Sequence, residues 1–280
     1  MLIFGSVGIF RRFIPLPSAM LAFVRGILGA LVLLVYMKAT GHKFGHSLSR
    51  KVLLHLCITG MIMGANWMLL FEAYNYTTVA IATLCYYMQP AIVILLSPFI
   101  FREKLSPKKL LCVIVSVIAM TLVAGIWDES RTAVNLHGVL LGLGAALCYS
   151  LVVVLNKLNQ VEDAYEKTVI QLLSASAVMI PYMLSSNSLT VERISMFSIL
   201  MLLLVGVVHT GLAYALYFSS MQDLPAQSVA ILSYLDPITA LLLSAVLLCE
   251  QLSATALLGA VLIIGAALLN EFELSRHVKL

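Results

Sequence analysis

The sequence predicts an all-α integral membrane protein: ten transmembrane helices as a five-plus-five inverted repeat, the first helix short or truncated. Three observations carry this expectation. They are an apolar composition, a duplicated segment with a central proline, and a lopsided distribution of Lys and Arg between the loops.

Composition sets the class. The 280 residues are 61% hydrophobic and 11% charged, with a mean hydropathy of +1.03. A soluble domain carries about 25% charged residues. This chain lacks the polar side chains to cover itself, so its solvent is lipid. The net charge of +4 is too diffuse to argue for nucleic acid. Cys57, Cys85, Cys112, Cys148 and Cys249 fall in apolar runs with no C-x-x-C spacing. Neither disulfides nor a metal site is expected from them.

A crossing needs about 20 apolar residues. Candidate spans lie near 2–14, 18–38, 53–73, 78–100, 108–127, 136–157, 168–186, 195–218, 226–248 and 254–271. The first is a half-crossing, because Arg11 and Arg12 interrupt the run from Leu2 to Phe10. It lacks the basic start and small-residue cleavage site of a signal peptide. Two readings remain, a genuine half-helix or a start site placed downstream of the true one, and the second is favoured. The spans group as 1–127 and 136–272, joined by a linker at 128–135 and followed by a cytoplasmic tail at 273–280.

Loop charge gives orientation, since Lys and Arg concentrate in the cytoplasm. With the N-terminus inside, the inner side holds Lys38, Lys43, Arg50, Lys51, Arg102, Lys104, Lys108, Lys109, Lys157, Lys167, Arg276 and Lys279. The outer side holds Arg11, Arg12, Arg131 and Arg193. Both termini are therefore expected inside.

The duplication is the third observation. Thr78–Ser106 and Pro225–Ser253 align at an offset of 147 residues. Tyr87/Tyr234, Pro90/Pro237, Ser97/Ser244, Glu103/Glu250 and Ser106/Ser253 match, together with three leucine pairs. The offset advances the chain by five helices, an odd number, so the copies are expected upside down relative to each other. That plan recurs in secondary transporters, with solute held near the midplane at the repeat interface.

Candidate functional residues follow from the same alignment. Pro90 and Pro237 sit mid-span, where each frees the carbonyl four residues back, at Tyr86 and Ser233. Freed carbonyls suit a cavity, or the prolines simply bend their helices. Gln89 and Asp236 precede the prolines. A mid-membrane carboxylate is costly and points to function. Asp236 could bind a cation or carry a proton, or it could close the kink at Ser233. Arg25 either reaches the interface with its long stem or pairs with a carboxylate. His209 is either a packing residue or a ligand. Asn66 and Trp67 align with Ala213 and Tyr214, which suggests an amphipathic aromatic lining that also takes in Tyr217, Tyr86, Tyr87 and Tyr234. Glu103 and Glu250 read as loop anchors, and Glu72 as solvated. Ser106 and Pro107 read as a helix cap and first-turn proline. Gly60 and Gly64 read as a close-packing face.

The chain resembles the EamA-type branch of the drug/metabolite transporter superfamily. The resemblance rests on Gly5–Phe10, Ala22–Gly26, and Tyr87–Ser106 with its echo at Tyr234–Ser253. It covers nearly the whole chain and implies two tandem EamA units. It further implies export of amino acids, other metabolites or toxic compounds across the bacterial inner membrane by alternating access. The helix-2 arginine of the family matches Arg25, and its helix-4 and helix-9 prolines match Pro90 and Pro237. The short first helix departs from the pattern.

The expected function is thus secondary transport of small organic solutes, with a proton or other ion as a candidate coupling partner and lipid as the surroundings. Phosphorylated solutes are disfavoured because Arg25 is the only cation inside a span. No H-E-x-x-H, G-x-S-x-G or Walker A pattern occurs, so neither an enzyme nor a bound cofactor is expected. A lipid-acting enzyme and a channel are the alternatives, and a homodimer is left open.

Overall fold

A computed structural model describes residues 1–11, 13–41, 48–77, 79–123, 135–158, 163–185, 194–248 and 254–277. Arg12, Lys43, Arg131, Arg193, Cys249, Glu250, Ser253 and Lys279, and most of the 128–135 linker, lie outside them. The regular elements among the described residues are helices. The elements are α1 (Leu2–Arg11), α2 (Ser18–Ala39), α3 (Arg50–Tyr76), α4 (Val79–Tyr86), α5 (Gln89–Ile100), α6 (Pro107–Val123), α7 (Leu136–Leu158) and α8 (Ala164–Ser185). Then follow α9 (Met196–Leu204), a π-helical stretch (Val205–Leu212), α10 (Ala213–Asp223), α11 (Ala226–Ser233), α12 (Leu235–Leu248) and α13 (Ala254–His277). Among the described residues, six stretches are long and apolar enough to cross a membrane: Ser18–Ala39, Arg50–Tyr76, Ile81–Ile100, Leu136–Leu158, Ala164–Ser185 and Met196–Asp223. Leu2–Arg11 and Leu257–Ala266 are shorter apolar helices.

Both expected proline kinks take a sharper form. The span at 78–100 is two helices, because Tyr87 and Met88 form a turn closed by the Met88 N–H on the Cys85 carbonyl at 3.1 Å. Pro90 then falls in the first turn of α5, where a missing N–H costs nothing. The second copy repeats this. Tyr234 bonds back to Ile231 at 3.1 Å, and Asp236 and Pro237 open α12.

The chain forms two compact units, each drawing on both halves of the sequence. The first comprises Met1–Ser6, Glu72–Ser150 and Leu224–Leu280; the second comprises Val7–Phe71 and Leu151–Asp223.

In the first unit the two broken helices lie against each other. Tyr87 meets Asp236, Ser97 meets Gln227, and Glu103 meets Ala226. Numbers rise along one helix as they fall along the other, so the two run antiparallel. Gln227 Nε2 donates to Ser97 Oγ at 2.5 Å in a fully buried contact. Glu103 caps α11, which has no side-chain cap of its own. Its Oε1 accepts from the Ala226 N–H at 2.8 Å and its Oε2 from Gln227 at 3.3 Å. The expected anchor role of Glu103 is thus a specific one, an anion on a helix N-terminus. Glu103→Ala should destabilise the fold by about 1–2 kcal/mol, and Glu103→Gln by about half, read as melting temperature in detergent. Ser106 accepts from the Lys109 N–H at 3.2 Å, the cap expected before Pro107. Met120, Tyr234, Ile238, Ala260 and Ile263 form an apolar core joining α6, α12 and α13.

In the second unit α2 packs along α8 and the π-helical stretch. Gly60 and Gly64 present the expected flat face: a Cβ on either would come within 2.5–2.6 Å of the α8 backbone at Gln171 or Ala175. Gly41, with φ of +75°, ends α2 in the left-handed conformation that glycine adopts without strain. Arg11 ties the turn after α1, donating to the Ile14 carbonyl at 2.8 Å and the Leu16 carbonyl at 3.0 Å. One expectation is corrected here. Lys167, counted from the sequence as a loop cation, is fully buried in the first turn of α8. Its Nζ donates to the Asn156 carbonyl at 3.0 Å, near the end of α7. A long apolar stem lets the ammonium reach a helix C-terminus while the residue stays inside.

Candidate functional site

The two breaks place a polar group inside the first unit. Tyr87, in the turn after α4, donates its hydroxyl to Asp236 Oδ2 at 3.2 Å. Asp236 lies in the first turn of α12. A carboxylate there lies at the positive end of the helix dipole. Its partner is Tyr87, not the Ser233 carbonyl; the Ser233 hydroxyl itself bonds to Val229 at 2.8 Å. Gln89 is buried at the start of α5. Its carbonyl lies 3.2 Å from Ser150 Oγ, which also bonds to the Ala146 carbonyl at 2.8 Å. Tyr86 packs against the Tyr149 ring with centroids 5.7 Å apart, and against Tyr87 at 5.6 Å. Pro90 and Pro237 are buried in the first turns that follow the breaks. The Tyr234 ring is buried in the apolar core described above. At the other side of α12, a Cβ on Gly5 would collide with the Asp236 carbonyl and Thr239, so α1 starts close against this turn.

The remaining candidates lie in the second unit. The Arg25 guanidinium sits over the Trp67 ring, 4.7 Å from its centroid. A cation–π contact of this kind holds the guanidinium against the ring face. Trp67 and Asn66 are buried. His209 lies in the π-helical stretch and packs on Phe10, with centroids 4.8 Å apart. Its Nδ1 lies 3.5 Å from the Leu204 carbonyl, five residues back, and Thr210 Oγ1 donates to Val205 at 3.0 Å with the same spacing. Such π segments concentrate at functional sites. Tyr214 and Tyr217 flank the buried ring of Phe218, at 5.5 and 5.6 Å.

Thus Tyr86, Tyr87, Gln89, Pro90, Tyr234, Asp236 and Pro237 belong to one unit, and Arg25, Asn66, Trp67, His209, Tyr214 and Tyr217 to the other. Sequence reasoning missed a third group. Asn156 and Gln171 exchange side-chain hydrogen bonds at 2.8 and 3.3 Å, beside Lys167, whose Nζ is 5.8 Å from the Phe218 ring centroid. Lys157 caps α10, donating to the Met221 and Gln222 carbonyls at 3.0 Å each. The available signal was two amides, Asn156 and Gln171, on otherwise apolar spans.

Apolar helices of spanning length, with polar groups gathered at internal breaks, define a polytopic membrane protein. The chain belongs to the EamA-like transporter family, whose model matches residues 1–125 and again 136–272. It is 30% identical over 247 residues to YxxF, an uncharacterized transporter of Bacillus subtilis, covering 88% of this chain and 78% of that one. It is 30% identical over 203 residues to a probable amino-acid metabolite efflux pump of Salmonella typhimurium, covering 69% and 67%. A similarly named Escherichia coli protein is 28% identical over 223 residues, covering 75% and 73%. A solved crystal structure superposes with a TM-score of 0.83 at 19% identity, covering 96% of this chain and 94% of the other, which establishes the shared fold.

Proposed function

We propose that this chain is a secondary transporter that exports small organic solutes across the bacterial inner membrane by alternating access. The solutes are amino acids, amines or drug-like compounds. The observation that carries this reading is the Tyr87–Asp236 pair, a carboxylate held mid-span between two broken helices. Such groups serve as substrate or proton sites in membrane proteins. Names of the efflux pumps among the relatives support export of amino-acid metabolites.

The proposal extends to architecture. Two units, 1–127 and 136–272, would cross the membrane five times each in opposite senses, joined at 128–135, with a cytoplasmic tail at 273–280. The family matches at 1–125 and 136–272 support the pairing. The antiparallel contact of α5 with α11 supports the inversion. With Lys167 set aside as buried, eleven Lys and Arg still fall on the inner side against four, which supports N-in and C-in. Tyr86, Tyr87, Gln89, Pro90, Tyr234, Asp236 and Pro237 form the proposed binding group, with Asp236 as the site of a coupling proton or of a cationic solute. Arg25, Asn66, Trp67, His209, Tyr214 and Tyr217 are proposed as a second lining.

The test is solute flux into liposomes carrying the purified protein, scanned over amino acids and amines. Saturable flux with counterflow is expected. Flux that never saturates would make the protein a channel, and no flux above protein-free liposomes would end the reading. Wild-type flux in the double variant Asp236→Asn, Pro90→Ala would sink the site while leaving the fold.

A further inference from the structure

The two breaks are built alike but end differently. At α12 the first turn holds Asp236, and Tyr87 from the facing helix donates to it. At α5 the equivalent of Asp236 is Gln89, and the equivalent of Tyr87 is Tyr234. Gln89 is 3% exposed, and its Nε2 has no hydrogen-bond partner among the described residues. Tyr234 is 0% exposed, and its O–H has no acceptor among the described residues. The backbone N–H of Ala91, in the first turn of α5, points at the hydroxyl oxygen, which leaves the O–H hydrogen to donate elsewhere. The helix has no side-chain N-cap, and Pro90 supplies no N–H. Two buried side-chain donors, Gln89 Nε2 and the Tyr234 O–H, are therefore gathered at the positive end of a 12-residue helix with no acceptor for them among the described residues. Buried donors without acceptors cost stability, so a site that keeps them is organised for something that accepts.

We infer that the first turn of α5 is an anion subsite, formed by Gln89 Nε2 and the Tyr234 O–H, that takes the carboxylate of a zwitterionic solute whose ammonium group lies on Asp236. This rests on the reading of Asp236 as part of the transport site. Proximity follows from the chain. Tyr87, which bonds to Asp236, is two residues before Gln89, and Tyr234 is two residues before Asp236. An amino acid carries its ammonium and carboxylate on one carbon and matches one acidic and one donor-rich helix start. Helix N-termini that point at substrate carboxylates are a known solution in broken-helix transporters. Gln in place of Asp gives the pair its polarity: two carboxylates would repel the solute's own.

The experiment is a thermal-shift titration of the purified protein with L-alanine, L-leucine and L-phenylalanine, each beside its decarboxylated amine and its deaminated acid. Wild type, Tyr234→Phe, Gln89→Glu and Asp236→Asn are compared. Amino acids and acids should bind Tyr234→Phe at least tenfold more weakly than wild type, and Gln89→Glu more weakly still. The amines should bind both variants as they bind wild type. Asp236→Asn should show the reverse, losing amines and keeping acids. Equal weakening of amines and acids by Tyr234→Phe would overturn the subsite, as would wild-type binding of the acids to both α5-side variants. No acid or amino acid shifting the wild-type protein would overturn it too. Loss of amines alone in Asp236→Asn, with acids indifferent to every variant, would leave the proposed transport function standing without this subsite. If Gln89→Glu does not fold, the Tyr234→Phe result decides, since it removes one oxygen from a buried ring.

Discussion

Asp236→Asn is expected to lower the flux of a cationic or zwitterionic solute by about 10- to 100-fold without lowering the melting temperature. The two effects separate because asparagine keeps the shape and an acceptor oxygen for the Tyr87 hydroxyl, now 3.2 Å from Oδ2. Only the charge is removed. A hydrogen bond to a charged group contributes about 1.5–3 kcal/mol, and each 1.4 kcal/mol is tenfold in affinity. A charge at mid-membrane costs about 2.5–3.5 kcal/mol, so its removal relieves the fold. Tyr87→Phe should behave differently: it leaves the carboxylate short of one donor, lowers stability by about 1–3 kcal/mol, and reduces flux less. Flux measured in liposomes beside melting in detergent distinguishes the two variants. Asp236→Asn with wild-type flux and wild-type stability would make the carboxylate a passenger. Asp236→Asn that fails to fold would make it a structural pair.

Much of this arrangement is written in the sequence. Tyr-x-x-Pro, repeated at Tyr87 and Tyr234, locates both helix breaks to within a residue or two. Ser106 before Pro107 gives a cap, and Gly60 with Gly64 gives a packing face. These are local features, governed by residues within one turn of each other. The pairings are not local. Tyr87 could have met its own copy's neighbour; it meets Asp236 of the other copy because the two helices pack antiparallel. Duplication shows that two segments are alike, not which residues of one touch which of the other. Lys167 misled because a charge between apolar runs looks like a loop, whereas its ammonium caps α7. Arg25 carries no sign in the chain of its seat over Trp67. The π-helical stretch has no period of its own to read. Its only trace is the pair Gly206 and Gly211, and their meaning depends on what they face.

What they face defines the other large effect. Gly29→Val or Gly211→Val should leave little folded protein. A Cβ at Gly29 would lie 2.9 Å from the Gly211 nitrogen and 3.2 Å from the Gly206 carbonyl oxygen. A Cβ at Gly211 would lie 3.0 Å from the Gly29 oxygen. Every opposing atom is backbone, so no rotamer can relieve the clash. The helices must part, and in lipid close packing is much of what holds helices together. Overpacking by a single methyl costs about 1–3 kcal/mol, and valine adds two more carbons. The same separation would carry Arg25, one turn before Gly29, away from Trp67, and would unseat His209 from Phe10. Gly265→Ala is the control. A Cβ there meets nothing within 4 Å among the described residues, so helix propensity alone should make it neutral to stabilising by about 0.5–1 kcal/mol. Melting temperature and the monodisperse fraction after extraction report both. Normal yield and melting for Gly29→Val would mean that α2 and the π-helical stretch do not touch in the membrane. Gly265→Ala falling with it would mean that glycine matters here for flexibility, not for contact.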